Sequence, residues 1–153
     1  MSMIDSRWEI WDGQALTVTE ESRTNGNMFD LEENGVTDES ISSQLWFNLQ
    51  VSAAFAGLDS GGFFAVVSSD SATFASGYIC PAAIGSEDYP ITAAQLAADA
   101  KFSIAFPRWN LHKYLEVVFV AVSEAASSGS VDAWFGLEPL TPAKVQKYPD
   151  GYS

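Results

Sequence analysis

The sequence predicts an all-β protein, an antiparallel β-sandwich of roughly eight short strands with jelly-roll-like order. Three observations predict it. Apolar and polar side chains alternate between residues 44 and 51, with Leu45, Phe47, Leu49 and Val51 on one face. Turn-forming Gly, Ser, Asn and Asp residues separate the apolar segments. No long helical pattern lies between the strands, which disfavours parallel βαβ units.

The N-terminal third is predicted to contain an arm, two strands and an acidic loop. Residues 1–14 mix large apolar and polar side chains and are interpreted as an N-terminal arm with a short strand or turn. Strands are expected at residues 15–19 and 28–31. The acidic stretch from Asp30 to Glu39 lacks the acid spacing of an EF-hand, so a solvated loop is favoured over a calcium site, although cation binding stays open.

The middle of the chain predicts three strands and one helical turn. Residues 63–68 indicate a buried strand, and residues 78–84 an edge strand, because Pro81 has no N–H to donate to a central ladder. Thr92 and Gln95 have the spacing of a capping box around a short helical turn. Residues 102–106 alternate again, and Pro107 ends that strand.

The last two apolar segments, residues 114–122 and 131–137, flank a turn of small residues and are predicted to form a hairpin. The alternating faces of residues 45–51 and 102–106 are expected to meet residues 131–137 across the core. One β-sandwich domain is therefore predicted for residues 1–138, followed by an extended proline-containing tail, residues 139–153.

Composition narrows the possible functions. The 153 residues carry a net charge of -13, which argues against binding to nucleic acid or to anionic lipid. No apolar run reaches the length of a signal peptide or a membrane span. Cys80 is the only cysteine, and its apolar neighbours predict a buried structural thiol.

The residues predict no reaction centre, cofactor or metal site. His112 is the only histidine, so any Ser-His-Asp or Cys-His centre must use it. The adjacent Arg108 and Lys113 disfavour the imidazolium that such a base forms, so a loop or interface histidine is expected. One Cys and one His cannot make a four-ligand zinc site without two carboxylates.

The sequence contains five tryptophans, a residue type that is typical of protein interfaces where it is exposed. Trp46 and Trp134 lie opposite the core side of their strands, so each is an exposed anchor or is covered by a second layer or by the arm. Trp109, in a basic loop after a proline, is the better candidate for a contact with another protein.

An ordered set of segments extends to about Glu138: residues 3–6, 14–19, 27–31, 45–51 followed by Ala54 and Phe55, 69–74, 113–117 and 129–133. In this order the segments resemble those of the capsid cement, or decoration, proteins of tailed bacteriophages, specifically the small jelly-roll family of short-tailed phages. Glu116 stands where that family carries a basic residue.

The resemblance implies a non-enzymatic structural protein of the virion, made in the host bacterial cytoplasm and placed on the outer surface of the capsid. There it would bridge neighbouring major capsid subunits as a dimer, or alternatively a trimer, without touching nucleic acid or membrane. Contacts with partners are expected from the arm and from the basic loop: Ile4, Arg7, Trp8, Trp11, Arg108, Trp109, His112 and Lys113.

Two other functions stay open. A carbohydrate- or receptor-binding jelly-roll module of a phage would stack its tryptophans on sugar rings. A small hydrolase on a sandwich scaffold would depend on His112.

Overall fold

A computed structural model describes residues 9–21, 29–31, 45–71, 78–107 and 111–140. Within these ranges the chain is almost entirely β-structure, with one short 3-10 helix at Ala94–Leu96. The strands are β1 (Glu9–Ala15), β2 (Glu20–Glu21), β3 (Phe29–Asp30), β4 (Leu45–Ala56), β5 (Gly62–Ser69), β6 (Tyr78–Ile84), β7 (Lys101–Phe106), β8 (Tyr114–Ala121) and β9 (Ser128–Gly136).

The strands form two antiparallel sheets. Sheet A has the order β1-β9-β4-β7. In sheet B the strands β8, β5 and β6 follow one another, and β2 and β3 both pair along the free edge of β8. If β2 and β3 are counted as two parts of one strand, each sheet has four strands. The first strand of the chain lies beside the last, and the strand order of the two sheets is that of a jelly roll. The predicted fold class is confirmed.

The core lies between the two sheets and is rich in aromatic rings. The inward side chains of β4 are fully buried, as the alternation of residues 45–51 predicts. Phe135 of β9 reaches across to Phe29 of sheet B with ring centroids 5.2 Å apart, and Phe106 contributes a ring 5.9 Å away. Tilted and edge-on ring pairs of this kind add about 0.5–1.5 kcal/mol each beyond their burial.

The predicted hairpin of the last two strands is wrong. β8 lies in sheet B and β9 in sheet A, so residues 122–127 cross from one layer to the other. Similarly, β4, β7 and β9 are neighbours in sheet A and do not face each other across the core: Leu49 pairs with both Phe102 and Ala133. Alternation shows which side chains share a face, but it does not show which strand is the partner.

Strand β1 occupies part of the predicted arm. It pairs with β9, and Ile10 and Trp11 are both buried. Irregular register on either side of Trp11 places two consecutive apolar residues in the core, which hides the period of two expected for a strand. The strand expected at residues 15–19 is thus displaced toward the N-terminus.

Two local predictions are confirmed. β6, which contains Pro81, is the edge strand of sheet B. The capping box forms in both directions: Thr92 N donates to Gln95 Oε1 at 2.9 Å, and Gln95 N donates to Thr92 Oγ1 at 3.2 Å. This turn holds Leu96 in the core.

Candidate binding face

Strands β5 and β8 are apolar on both sides. Their inward residues, among them Phe64, Val66, Val117 and Phe119, are fully buried. Their outward residues are also apolar but only half-buried. We call these outward side chains, together with one from β6, the sheet B face: Phe63, Ala65, Val67, Ala83, Val118 and Val120.

Register places the members of the sheet B face side by side. Phe63 pairs with Val120, and Ala65 pairs with Val118 on one side and with Ala83 on the other. Val67 pairs with Glu116, which is the charged residue within this pattern. Glu116 is 7% exposed and has an interaction partner. A continuous apolar run is typical of a strand that is covered on both faces, so this surface is the candidate binding face.

The two ends of sheet B differ in charge. At one end of the sheet, β5 begins and β6 and β8 finish. The segments next to these strand ends carry four exposed carboxylates: Asp59, Glu87, Asp88 and Glu124. The opposite end carries Asp70, His112 and the exposed Lys113. The ammonium of Lys113 lies 5.3 Å from the centre of the Tyr114 ring.

A serine, a histidine and an aspartate meet at this second end, but they are not arranged for nucleophilic catalysis. His112 Nδ1 lies 3.2 Å from Asp70 Oδ2. The buried Ser68 hydroxyl instead contacts the backbone of His112, accepting from its N–H at 2.8 Å and donating to its carbonyl at 3.4 Å. Asp70 Oδ1 also accepts from Lys113 N at 3.2 Å. The three side chains therefore fasten the end of β5 to the start of β8.

The predicted contact residues fall into three groups. His112 is half-buried and Lys113 is exposed, and both border the sheet B face. Trp11 is fully buried in β1, so it belongs to the core and is not a surface contact. The remaining five lie outside the described residues: Ile4, Arg7, Trp8, Arg108 and Trp109.

The outer face of sheet A is polar and is covered by its own chain. Asn48, 2% exposed, donates from Nδ2 to the carbonyl of Glu138 at 3.1 Å and accepts from Ser103 Oγ at 2.7 Å. Leu140 N donates to Ser103 Oγ at 2.8 Å. Residues 137–140 thus lie along this face, where Trp134 is buried and Trp46 half-buried.

The prediction that Cys80 is a buried thiol is wrong. The residue lies exposed on the edge strand β6 and is not buried, because an edge strand with a proline has no neighbour on one side. Partial desolvation nevertheless raises the pKa of the thiol, opposed by the hydrogen bond from Sγ to the carbonyl of Ala82 at 3.4 Å. The thiol form therefore dominates at neutral pH.

Within the described ranges no three His, Cys, Asp or Glu side chains are grouped to hold a metal ion. Apart from Asp30 and Leu31, the acidic stretch that ends at Glu39 lies outside them. No helix in the described part of the chain is long and apolar enough to cross a membrane.

Comparison with known proteins gives no family. No family model matches the chain, and no curated protein matches it.

The sheet B face was not among the residues predicted to bind a partner. Its signal is present in the sequence as two runs, residues 63–67 and 117–122, that are apolar without alternation. The first run predicts a buried strand and the second one strand of a hairpin, but neither pattern shows that a two-layer sandwich can bury only one side of each sheet.

Proposed function

We propose that this chain is a structural protein that binds the outer surface of a phage capsid and stabilises it by bridging neighbouring major capsid subunits. The observation that carries the proposal is the sheet B face, an apolar surface on the outside of a jelly roll. Residues of this kind gain about 25 cal/mol per Å² when another protein covers them. The resemblance to capsid cement proteins supplies the identity of the partner.

The charge of the chain supports the same role. At a net charge of -13, the protein is repelled by packaged DNA and by anionic lipid, and it is attracted to basic protein surfaces. A protein that holds an outer shell together must contact other proteins and needs no contact with the genome. The two ends of sheet B, with their different charges, offer distinct surfaces for such contacts.

The described tryptophans give the carbohydrate-binding alternative no support, although the ring of Tyr89 is 82% exposed. Stacking on sugar rings requires exposed aromatic faces. Trp11 and Trp134 are buried, and Trp46 is half-buried. Trp8 and Trp109 lie outside the described ranges.

The proposal is tested with capsids that lack this protein. Purified full-length chain is mixed with such capsids and sedimented, and we expect it to pellet in a fixed ratio to the major capsid protein. Decorated capsids are expected to withstand heating that opens bare ones. The proposal fails if the chain stays in the supernatant, or if it pellets equally with an unrelated protein shell of similar size.

The contact residues are tested by truncation. Removing residues 1–8 leaves β1 in place and tests the arm, whereas a deletion up to residue 13 would also remove the buried Ile10 and Trp11. We expect the chain without residues 1–8 to fold and to bind capsids more weakly. A Lys113→Ala variant tests the basic loop in the same assay, with Lys101→Ala, an exposed lysine on β7, as its control.

A further inference from the structure

We propose that the sheet B face binds a protein segment in which apolar side chains stand next to arginines, and that the arginines lie at the end of the sheet where β5 begins. This inference deepens the proposed function and rests on it only for the identity of the protein that carries the segment. It assigns the chemistry and the direction of the bound segment, which the apolar character of the face alone leaves open.

Three loops meet at this end of sheet B, which we call the acidic end. Val122 N donates to the carbonyl of Gly61 at 2.9 Å, and the backbones of Gly62 and Ile91 exchange hydrogen bonds at 3.0 and 2.8 Å. A methyl group built on Gly61, whose φ is +62 to +81° like that of other turn glycines here, at +77°, would lie 2.6 Å from the Ile91 carbonyl oxygen, so the contact requires glycine. These contacts hold together the loops that carry the four exposed carboxylates: Asp59, Glu87, Asp88 and Glu124.

The charge of the acidic end is uncompensated, whereas both signs of charge occur together at the opposite end. In the part of the chain that the structure describes, no basic side chain forms an ion pair with any of the four carboxylates. At the opposite end Asp70 lies 3.2 Å from His112 Nδ1 and accepts from Lys113 N. A cationic partner is thus attracted to the acidic end and meets little net charge at the other.

Tyr89 makes arginine a better partner than lysine at the acidic end. Its side chain is 82% exposed and follows Glu87 and Asp88 in the same loop. The loop is held by two hydrogen bonds, from Ser86 N to the Tyr89 carbonyl and from Tyr89 N to Ser86 Oγ, both at 3.1 Å. A guanidinium stacks on an exposed ring and still donates to a neighbouring carboxylate, whereas an ammonium has no planar surface to stack.

The acidic end borders the apolar side chains of the sheet B face. A methyl group built on Gly85 would lie 3.2 Å from Phe63 Cβ and 3.4 Å from the Tyr89 carbonyl oxygen, so this loop passes directly beside Phe63. From there the face continues along β5 to Ala65 and Val67. A segment that places arginine at Tyr89 therefore brings its neighbouring side chains over Phe63 and Ala65, where burial of apolar surface favours binding.

The first experiment measures binding of a synthetic peptide to the full chain by fluorescence anisotropy. In the peptide, an apolar half of leucines and threonines is followed by arginines. We expect binding that weakens as salt is added, because the charges at the acidic end are exposed. A version with lysines should bind several-fold more weakly, and one with glutamates should not bind. A chain that binds all three peptides equally, or none of them, overturns the inference.

The second experiment removes charge from the acidic end. The variant replaces three of its carboxylates: Glu87→Gln, Asp88→Asn and Glu124→Gln. We expect the dissociation constant of the arginine peptide to rise about tenfold at low salt. The matched control removes three exposed carboxylates outside sheet B: Asp12→Asn, Asp99→Asn and Glu138→Gln. Equal effects of the two variants overturn the inference, because net charge alone would then attract the peptide.

The third experiment tests the apolar face and the ring. Val118→Glu should raise the dissociation constant at least about tenfold, whereas Leu137→Glu, at a side chain 49% exposed beside sheet A, should have little effect. Thermal unfolding checks that both are folded, which is expected because Val118 lies outside the core. Tyr89→Leu should abolish the preference for arginine over lysine, and Tyr89→Phe should keep it. A preference that survives Tyr89→Leu contradicts stacking on this ring.

The direction of the bound segment is tested with a spin label on the arginine end of the peptide. In the NMR spectrum of the chain, the label should broaden the amide signals of residues 86–89 and 124 more than those of residues 111–113. The reverse pattern would show that the direction is wrong.

Failure of this inference is distinguishable from failure of the proposed function. If the peptide binds as expected but capsids that lack this protein do not bind the wild-type chain, only the capsid role fails. If such capsids bind the wild-type chain and the variant without the three carboxylates equally well, this inference fails and the proposed function stands.

Discussion

The outer faces of the two sheets differ in composition and in what covers them. The outer face of sheet A carries the polar Asn48 and Ser103, and residues 137–140 of the same chain satisfy them with hydrogen bonds. The outer face of sheet B carries Phe63, Val67 and Val118, which stay half-buried. One layer is thus completed within the chain, whereas the other has the composition of a surface completed by another molecule.

The largest expected effect is a difference in the free energy of unfolding between substitutions on the two sides of β8. Phe119 is fully buried, with ring centroids 4.9 Å from Phe64 and 6.0 Å from Phe55, so Phe119→Ala should lower the free energy of unfolding by about 3–5 kcal/mol. Val118→Ala, one residue earlier on the sheet B face, should cost less than about 1 kcal/mol because this side chain is only half-buried. Urea unfolding measures both. Equal costs would mean that the outer side is as covered as the core.

The next effect concerns the covered face of sheet A. Asn48→Ala removes both hydrogen bonds of a buried side chain and leaves the Glu138 carbonyl and the Ser103 hydroxyl with fewer partners, at a cost of about 1–3 kcal/mol. Gln50→Ala, its half-buried neighbour on the same side of β4, is the control and should change stability by about 0.5 kcal/mol or less. In a chain that ends at residue 136, Asn48→Ala should cost less. An unchanged cost there would show that residues 137–140 do not complete this face.

A smaller effect is expected where the end of β5 is fastened to the start of β8 within sheet B. Asp70 accepts a hydrogen bond from Lys113 N and lies 3.2 Å from His112 Nδ1, but its side chain is largely exposed. Asp70→Ala should therefore cost about 1 kcal/mol or less. Asp59→Ala, at the opposite end of sheet B, is the control and should be close to neutral by thermal unfolding.

The smallest expected change in stability concerns Glu9, on the edge strand β1 of sheet A. Burial, together with the negative charges of Asp12 and Asp132, raises the pKa of Glu9 above its ordinary value. Ionised Glu9 therefore opposes folding at pH 7, and Glu9→Gln should stabilise the protein by about 0.5 kcal/mol or less. The difference from wild type should disappear as the pH falls below the ordinary pKa of glutamate, because Glu9 is then protonated in both states. A difference that grows in acid would contradict this assignment.

Much of the fold is present in local sequence signals. Alternation identifies β4 and β7, Pro81 identifies an edge strand, and Thr92 with Gln95 identifies the capped turn. Local signals do not specify which strands pair, because pairing depends on contacts between distant parts of the chain. The error over β8 and β9 arises in this way: a short turn between two strands is equally compatible with a hairpin and with a crossing between layers.

The candidate site was less predictable than the fold. The irregular register of β1 conceals that Trp11 is a core residue. The apolar runs of β5 and β8 contain the signal for a binding face, but only the arrangement of two layers shows which half of each run faces outward.

The position of the last two strands affects how the chain is made. Among the described residues, β1 pairs with β9, and β2 and β3 pair with β8. These three early strands thus pair with segments far along the chain, as in Glu9–Trp134, Glu21–Phe119 and Phe29–Leu115. A ribosome adds roughly 5–20 residues per second, so the first strands wait on the order of ten seconds for their partners. Neither layer can close before β8 and β9 have been synthesised, and folding that depends on such distant pairings is slow. Premature termination within β8 or β9 should therefore yield an insoluble product instead of a smaller folded one.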